Sequence, residues 1–158
     1  MLASRPTDLK SRLTELCIEL RAASGIACEV HLDDRHVAFG EEVGEVVYRT
    51  VRELLANVRQ HARARHVTVS SADRRDGSVA ITVADDGIGL PAHRRRGNPF
   101  GETGGIGLWS IDQRLRELDA VLDIEAETGR GTRATVILPR PPPRTKSAAS
   151  RHNSTERR

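Results

Sequence analysis

Asp85-Asp86-Gly87-Ile88-Gly89-Leu90 is the stretch that decides how this 158-residue chain is read. Val79 to Val83 before it alternates apolar with small or polar residues, the two-residue period of a strand. Both carboxylates therefore fall where a strand opens into a loop. Two glycines two apart let the backbone come close to a ligand and take conformations closed to other residues. A second run, Gly104-Gly105-Ile106-Gly107-Leu108, opens a helix about twenty residues later. A fixed acid beside a pliable backbone, followed by a helix N-terminus, suits a nucleotide: the acid holds a base and the helix end holds phosphate.

Outward from that stretch the periodicity alternates between helix and strand. Thr7 or Asp8 can cap a first helix carrying Leu9, Leu13, Leu16, Cys17 and Leu20, and Gly25 ends it. Cys28 to Leu32 alternates like a strand. Glu41 to Ala62 is the longest helical pattern, with Val47, Val51, Leu54, Leu55, Val58 and Ala62 on one face. Val67 and Val69 alternate with Thr68 and Ser70, and an Asp76-Gly77 turn returns the chain into Val79–Val83 as a hairpin. Leu108, Ile111, Leu115 and Leu118 mark a third helix. Val121 to Ala126 and Arg133 to Leu138 read as strands around the turn Thr128-Gly129-Arg130-Gly131-Thr132. The order αβαββαββ predicts a two-layer α/β sandwich, a mixed β-sheet with about three helices on one face. Residues 91–104 lack periodicity and read as a mobile loop.

Composition narrows the class. Hydrophobic residues make up 37% and aromatics only 3%, so the core is expected to be aliphatic. No run approaches the roughly 18 apolar residues that a membrane helix needs, so no membrane segment is expected. Met1 to Lys10 does not read as a secretion signal, which suggests a cytoplasmic protein. Cys17 and Cys28 fit no close metal or redox spacing and read as two reduced thiols. The net charge of +3 invites a nucleic-acid reading, but residues 140–158 carry +5 of it and the rest about −2. The basicity belongs to a Pro-rich, then basic tail that reads as disordered, and no nucleic-acid partner is expected. The divisions are an extension over 1–6, a domain over 7–139 and the tail over 140–158.

On the long helix Glu53, Asn57 and His61 stand four residues apart, a polar stripe beside the apolar face. Such a stripe is either solvated with its own i,i+4 bonds or turned into a cleft at the sheet's edge. Four elements then stand in order: Glu53-Leu-Leu-Ala-Asn57-Val-Arg-Gln-His61-Ala62, Asp85-Asp-Gly-Ile-Gly89, Gly105-Ile-Gly-Leu108 and Gly129-Arg-Gly131-Thr132.

This order resembles the ATP-binding domain of two-component sensor histidine kinases, within the wider group that includes gyrase, Hsp90 and MutL. It is most similar to the branch that pairs with NarL-type regulators, through the His-Ala after the helix Asn and the run Gly107 to Arg114. The resemblance implies a Bergerat-type ATP-binding fold with ATP and Mg²⁺ as cofactors. It implies that Asp85 accepts a hydrogen bond from the adenine amino group, supported by Thr132, with Gly87 and Gly89 beside base and sugar. It implies that Asn57 gives an oxygen to Mg²⁺ and that Gly105, Ile106, Gly107 and Leu108 offer backbone N–H groups to phosphate. Glu53 and His61 become candidate catalytic residues, and 91–104 a lid. Relatives often place Arg or Lys where this chain has Gln60, and a Gly pair where it has Asp119-Ala120.

None of the six histidines begins a His-acid step on a helix, as a phosphoacceptor would. The expectation is a catalytic domain that positions Mg-ATP for transfer to a His on a separate dimerisation domain, with a response regulator downstream. Two alternatives share the fold: an anti-sigma-type serine kinase, which needs no internal His, and an ATP-binding interaction module that transfers nothing.

Overall fold

The computed structural model describes residues 8–89 and 106–140, with side chains for all of these but 106–109. Its elements are α1 (Leu9–Ser24), β1 (Ala27–His31), α2 (Glu41–Asn57), a π-helical turn (Val58–Ala62), β2 (His66–Asp73), β3 (Val79–Asp85), α3 (Ile106–Glu117), β4 (Val121–Glu127) and β5 (Gly131–Leu138). The five strands form one sheet in the order β1-β2-β3-β5-β4. Only β1 and β2 run parallel, because α2 lies between them as a crossover; the other pairs are antiparallel. The mixed sheet and three helices are those the sequence predicts.

Register explains which face is covered. Val69 pairs with Val83 and Val83 with Ala134, while Ile81 pairs with Val136 and Val79 with Leu138. All seven are buried, so alternate residues of three strands build one apolar face. The other face carries Thr68, Ser70, Thr82 and Thr135, with Thr82 and Thr135 joined through their hydroxyls at 3.1 Å. All three helices meet the covered face: α1 packs on β1 and α2, α2 on β3 and α3, and α3 on β4. Leu9, Leu13, Leu16, Cys17 and Leu20 of α1 are all buried, as are Val47, Val51, Leu54 and Leu55 of α2. Arg12 of α1 stacks 3.8 Å from the Tyr48 ring centroid and also bonds Glu45 at 2.8 Å, fixing α1 against α2.

The caps follow the sequence. Asp8, one of two expected N-caps, accepts from the Ser11 N–H at 2.8 Å; Thr7 lies outside the described residues. Gly25 closes α1 in the left-handed region. At the end of α3, Asp119 holds φ +54°, and the Ala120 N–H reaches back to the Leu115 carbonyl at 2.8 Å. That left-handed position gives the first Gly of the pair in relatives a physical reason.

Two expectations need correction. The long helix ends as α at Asn57, and Val58–Ala62 winds one π turn. The wider turn keeps Val58 buried while the Ala62 carbonyl swings to accept the Ile88 N–H at 2.8 Å. Cys17 and Cys28, read as two reduced thiols, are paired as a disulfide with Cα atoms 5.4 Å apart. About two turns of helix from Cys17 to the reversal at Gly25, then three strand residues back, bring them level.

The N-terminal extension, the 91–104 lid and residues 141–158 of the tail fall outside the described residues. Arg140, the last one described, pairs with Asp73 at the end of β2. Because Asp119 carries a side chain where the backbone favours glycine, Asp119→Gly should raise stability by up to about 1 kcal/mol. Urea unfolding of the variant beside the parent measures this; an unchanged or lower midpoint would show that Asp119 is not strained.

Candidate functional site

Asp85 is the last residue of β3 and pairs in register with Thr132 of β5. Alternation along β3 puts its side chain on the covered face, one step beyond Val83, where it is half-buried. The Gly87 N–H donates to its Oδ1 at 2.8 Å, and the Thr132 backbone N–H also bonds the carboxylate. Burial pushes this carboxyl above the usual carboxylate range; the two N–H bonds oppose that rise, and the Asp86 charge adds to it. A carboxylate has room for about four donors. Two N–H groups leave Asp85 able to accept more.

Asp86 faces the other way and accepts three bonds. Its Oδ1 accepts from the N–H groups of Arg65 (2.8 Å) and His66 (2.9 Å), and its Oδ2 lies 2.9 Å from His66 Nδ1. Its own N–H donates to the His66 carbonyl at 3.2 Å. These bonds, the His66 backbone first, hold its carboxyl down at about 2. An ionised carboxylate only accepts, so His66 Nδ1 carries the proton. The two adjacent acids thus have opposite environments, one desolvated and open to a ligand, the other pinned to the start of β2.

The loop after them is sandwiched between two backbone segments. Ile88 donates to the Ala62 carbonyl at 2.8 Å on one side and accepts from the Gly129 N–H at 2.8 Å on the other. A Cβ on Gly87 would overlap the Ala62 carbonyl, and one on Gly131, at φ +86°, would overlap the Asp85 carbonyl. Gly89 lies against the Glu127 carbonyl. These glycines are therefore needed for close backbone approach as well as for flexibility.

Three of the four sequence elements consequently meet at one end of the sheet: the end of α2 with its π turn, the Asp85–Gly89 loop and the Gly129–Thr132 turn. Asn57 is the last α-helical residue and Glu53 lies one turn before it, both half-buried. His61 sits in the π turn and is exposed. The i→i+5 winding therefore breaks the four-residue stripe that the sequence suggests after Asn57. The fourth element opens α3 at Ile106, Gly107 and Leu108, while Gly105 lies outside the described residues. A recess of about 260 Å³ beside Asp85 and Thr132 is walled by Glu125, Glu127 and Arg133. No α2 residue lines it.

Sequence reasoning missed Asp86, Ala62 and Arg65. The only signal for Asp86 was the doubled acid itself. Ala62 and Arg65 act through backbone atoms, which leave no trace in residue identity.

The Histidine kinase-, DNA gyrase B-, and HSP90-like ATPase family matches residues 42–142, and the chain belongs to it. Relatives include the sensor histidine kinase LiaS of Bacillus subtilis, 30% identical, covering 83% of this chain and 34% of that protein. A NarQ homolog of Haemophilus influenzae is 31% identical over 87% of this chain and 23% of its own length. The chain thus spans about a third or less of the curated relatives it matches. The histidine kinase domain of a blue-light activated kinase from Erythrobacter litoralis superposes with a TM-score of 0.67 at 24% identity, covering 87% of this chain and 65% of that one. The mycobacterial sensor histidine kinase MprB gives 0.59 at 19% identity, covering 85% of this chain and 97% of that one. Fold and family together make this an ATP-binding catalytic domain of the sensor histidine kinase type.

Two outcomes follow from the packing. Gly131→Ala meets backbone and should cost at least about 2 kcal/mol, whereas Gly129→Ala, also at positive φ but in open space, should cost only about 1 kcal/mol. Equal losses in denaturant unfolding would rule out the close approach. Asp86, with its pKa depressed in the folded state, stabilises the fold above about pH 4, and that stability is lost as pH falls toward about 2. An acid titration followed by circular dichroism should therefore be shallower in Asp86→Ala between those values than in the parent.

Proposed function

We propose that the domain binds ATP with Mg²⁺ and presents the γ-phosphate to a histidine on a separate dimerisation domain, in two-component signalling with a response regulator downstream. The observation that carries this reading is Asp85: a half-buried carboxyl at a strand end, held by Gly87 and Thr132, with acceptor capacity left over. The exocyclic amino group of adenine is a donor of the kind such an acceptor lacks, and guanine has a carbonyl there. The bond would be charge-assisted and partly shielded from water.

The remaining assignments extend from that contact. Gly87 and Gly89 let the loop pass close to base and sugar, and Thr132 supports Asp85 from the neighbouring strand. Asn57 offers an uncharged oxygen, which suits Mg²⁺ because that ion keeps waters and takes most other ligands from phosphate. Among the described residues no cluster of three His, Cys, Asp or Glu side chains is set to hold a metal by itself. That donor-poor setting fits an ion arriving with the nucleotide. The backbone N–H groups of Ile106, Gly107 and Leu108 at the start of α3, with Gly105 before them in the sequence, would be offered to the phosphates. Glu53 on α2 and His61 in the π turn are the candidate catalytic side chains. Bound Mg²⁺ supplies charge neutralisation; the protein supplies orientation.

The functional unit runs over 7–139, with residues 91–104 as its lid, and its place in the cell is cytoplasmic. No helix among the described residues is long and apolar enough to cross a membrane.

Asp85→Asn tests the central contact. It should weaken ATP binding about ten- to a hundred-fold, the loss of one charge-assisted bond. The same change removes a desolvated charge, so the ligand-free domain should gain stability at neutral pH. The sign follows from the raised pKa: the ionised form is disfavoured in the fold, so its presence above the ordinary carboxylate pKa costs stability. Calorimetric titration together with thermal unfolding reads both; unaltered ATP affinity would remove Asp85 from the adenine site.

A further inference from the structure

Asp86 joins two parts of the site that the chain separates. On one side is the π turn that follows Asn57; on the other is the loop that begins at Asp85. Between Ala62 and β2 the chain crosses Arg63, which holds φ +51°, a left-handed conformation unusual for an arginine. Such a residue persists where its surroundings fix it. The fixing groups are two residues on: the Arg65 and His66 N–H groups both end on Asp86 Oδ1, and the His66 carbonyl takes the Asp86 N–H. The His66 ring adds a third bond to the same carboxylate. A second tie, from Ile88 to the Ala62 carbonyl, runs alongside.

We infer that Asp86 is a positioning residue that sets the distance between Asn57 and Asp85, so that one ligand can meet both ends of the site at once. The inference rests on the nucleotide reading above. Asp86 needs no contact with ligand for this role. Its carboxylate is engaged by the β2 start, and its side chain is 46% exposed. A clamp of this kind has a distinct signature. A ligand that spans both ends depends on the spacing, whereas one that occupies only the Asp85 end does not.

The experiment compares ATP with Mg²⁺, which spans the site, and adenosine, which occupies the base end alone. Both are titrated into the parent, Asp86→Ala, Asp86→Asn and His66→Ala. Asp86→Ala should weaken Mg-ATP binding roughly ten-fold or more, since three charge-assisted bonds are lost, while adenosine binding changes less than about three-fold. Asp86→Asn keeps an oxygen for the Arg65 and His66 N–H groups and should restore Mg-ATP binding to within about three-fold of the parent. His66→Ala retains both backbone donors and should also stay within about three-fold.

Several results overturn the inference: parent-like Mg-ATP binding by Asp86→Ala, equal losses for the two ligands, or an Asp86→Asn variant as weak as Asp86→Ala. If Asp86→Ala does not fold, Asp86→Glu decides. Its extra methylene moves the β2 start away from the loop, so it should show the same selective loss of Mg-ATP, and parent-like binding overturns the clamp. A parent protein that binds neither ligand would defeat the nucleotide reading itself, and the clamp's role with it. A parent that binds both, with variants that show no split between them, would defeat the clamp alone.

Discussion

The loop between Asp85 and Gly89 has no regular structure, and the rest of the site depends on how it is held. It is confined by main-chain contacts: the Ala62 carbonyl on one side, the Glu127 and Gly129 backbone on the other, and Gly131 against the Asp85 carbonyl. Side chains of ordinary size would fill the space these contacts use. The packed sheet beneath, with Val83, Ala134 and Val136 buried on one face, gives that end a rigid base. Rigidity matters because a desolvated carboxylate such as Asp85 is costly to keep without partners. Its two backbone donors, one from its own loop and one from β5, offset part of that cost.

The contrast between Asp85 and Asp86 shows how adjacent identical residues diverge. One follows the inward face of β3 and is partly withdrawn from water, which raises its pKa. The other leaves the strand and collects three donors, which lowers it. Chain geometry alone separates them, since strand alternation sends successive side chains to opposite sides. The inward acid retains accepting capacity, while the outward one is used in holding β2 to the loop.

Much of this architecture could be read in the residues. Alternation in Val79–Val83 and Val67–Val69, the spacing of Leu9, Leu13, Leu16 and Leu20, and the turns at Gly25, Gly77 and Gly129 each specify local structure through one neighbouring contact. Strand β5 begins earlier than its apolar pattern suggests, at Gly131, because pairing with β3 extends to Thr132 and pairing with β4 extends to Gly131. The π turn was hidden, since Val58 and Ala62 fit an α-helical stripe equally well and the Ile88–Ala62 bond that selects the wider winding is long-range. The cysteine pairing was hidden for the same reason: a separation of 11 residues carries no sign of the reversal at Gly25. Asp85, Thr132 and the glycines were singled out from the order of the motifs, and the fold brings the elements that carry them together. What stayed out of reach was the backbone work of Ala62 and Arg65, because main-chain atoms are the same in every residue.

The strand order also has a consequence for assembly. β2–β3 and β4–β5 are hairpins that can close early, whereas β3 must find β5 across the intervening segment that holds α3 and β4. Asp85 and Thr132 lie opposite each other on that late seam, and Gly131 is tucked under it. Loop-closure entropy makes such a junction slow to form. The candidate site thus lies on the suture of the sheet, and a ligand held there would brace the two halves of the molecule that are hardest to join.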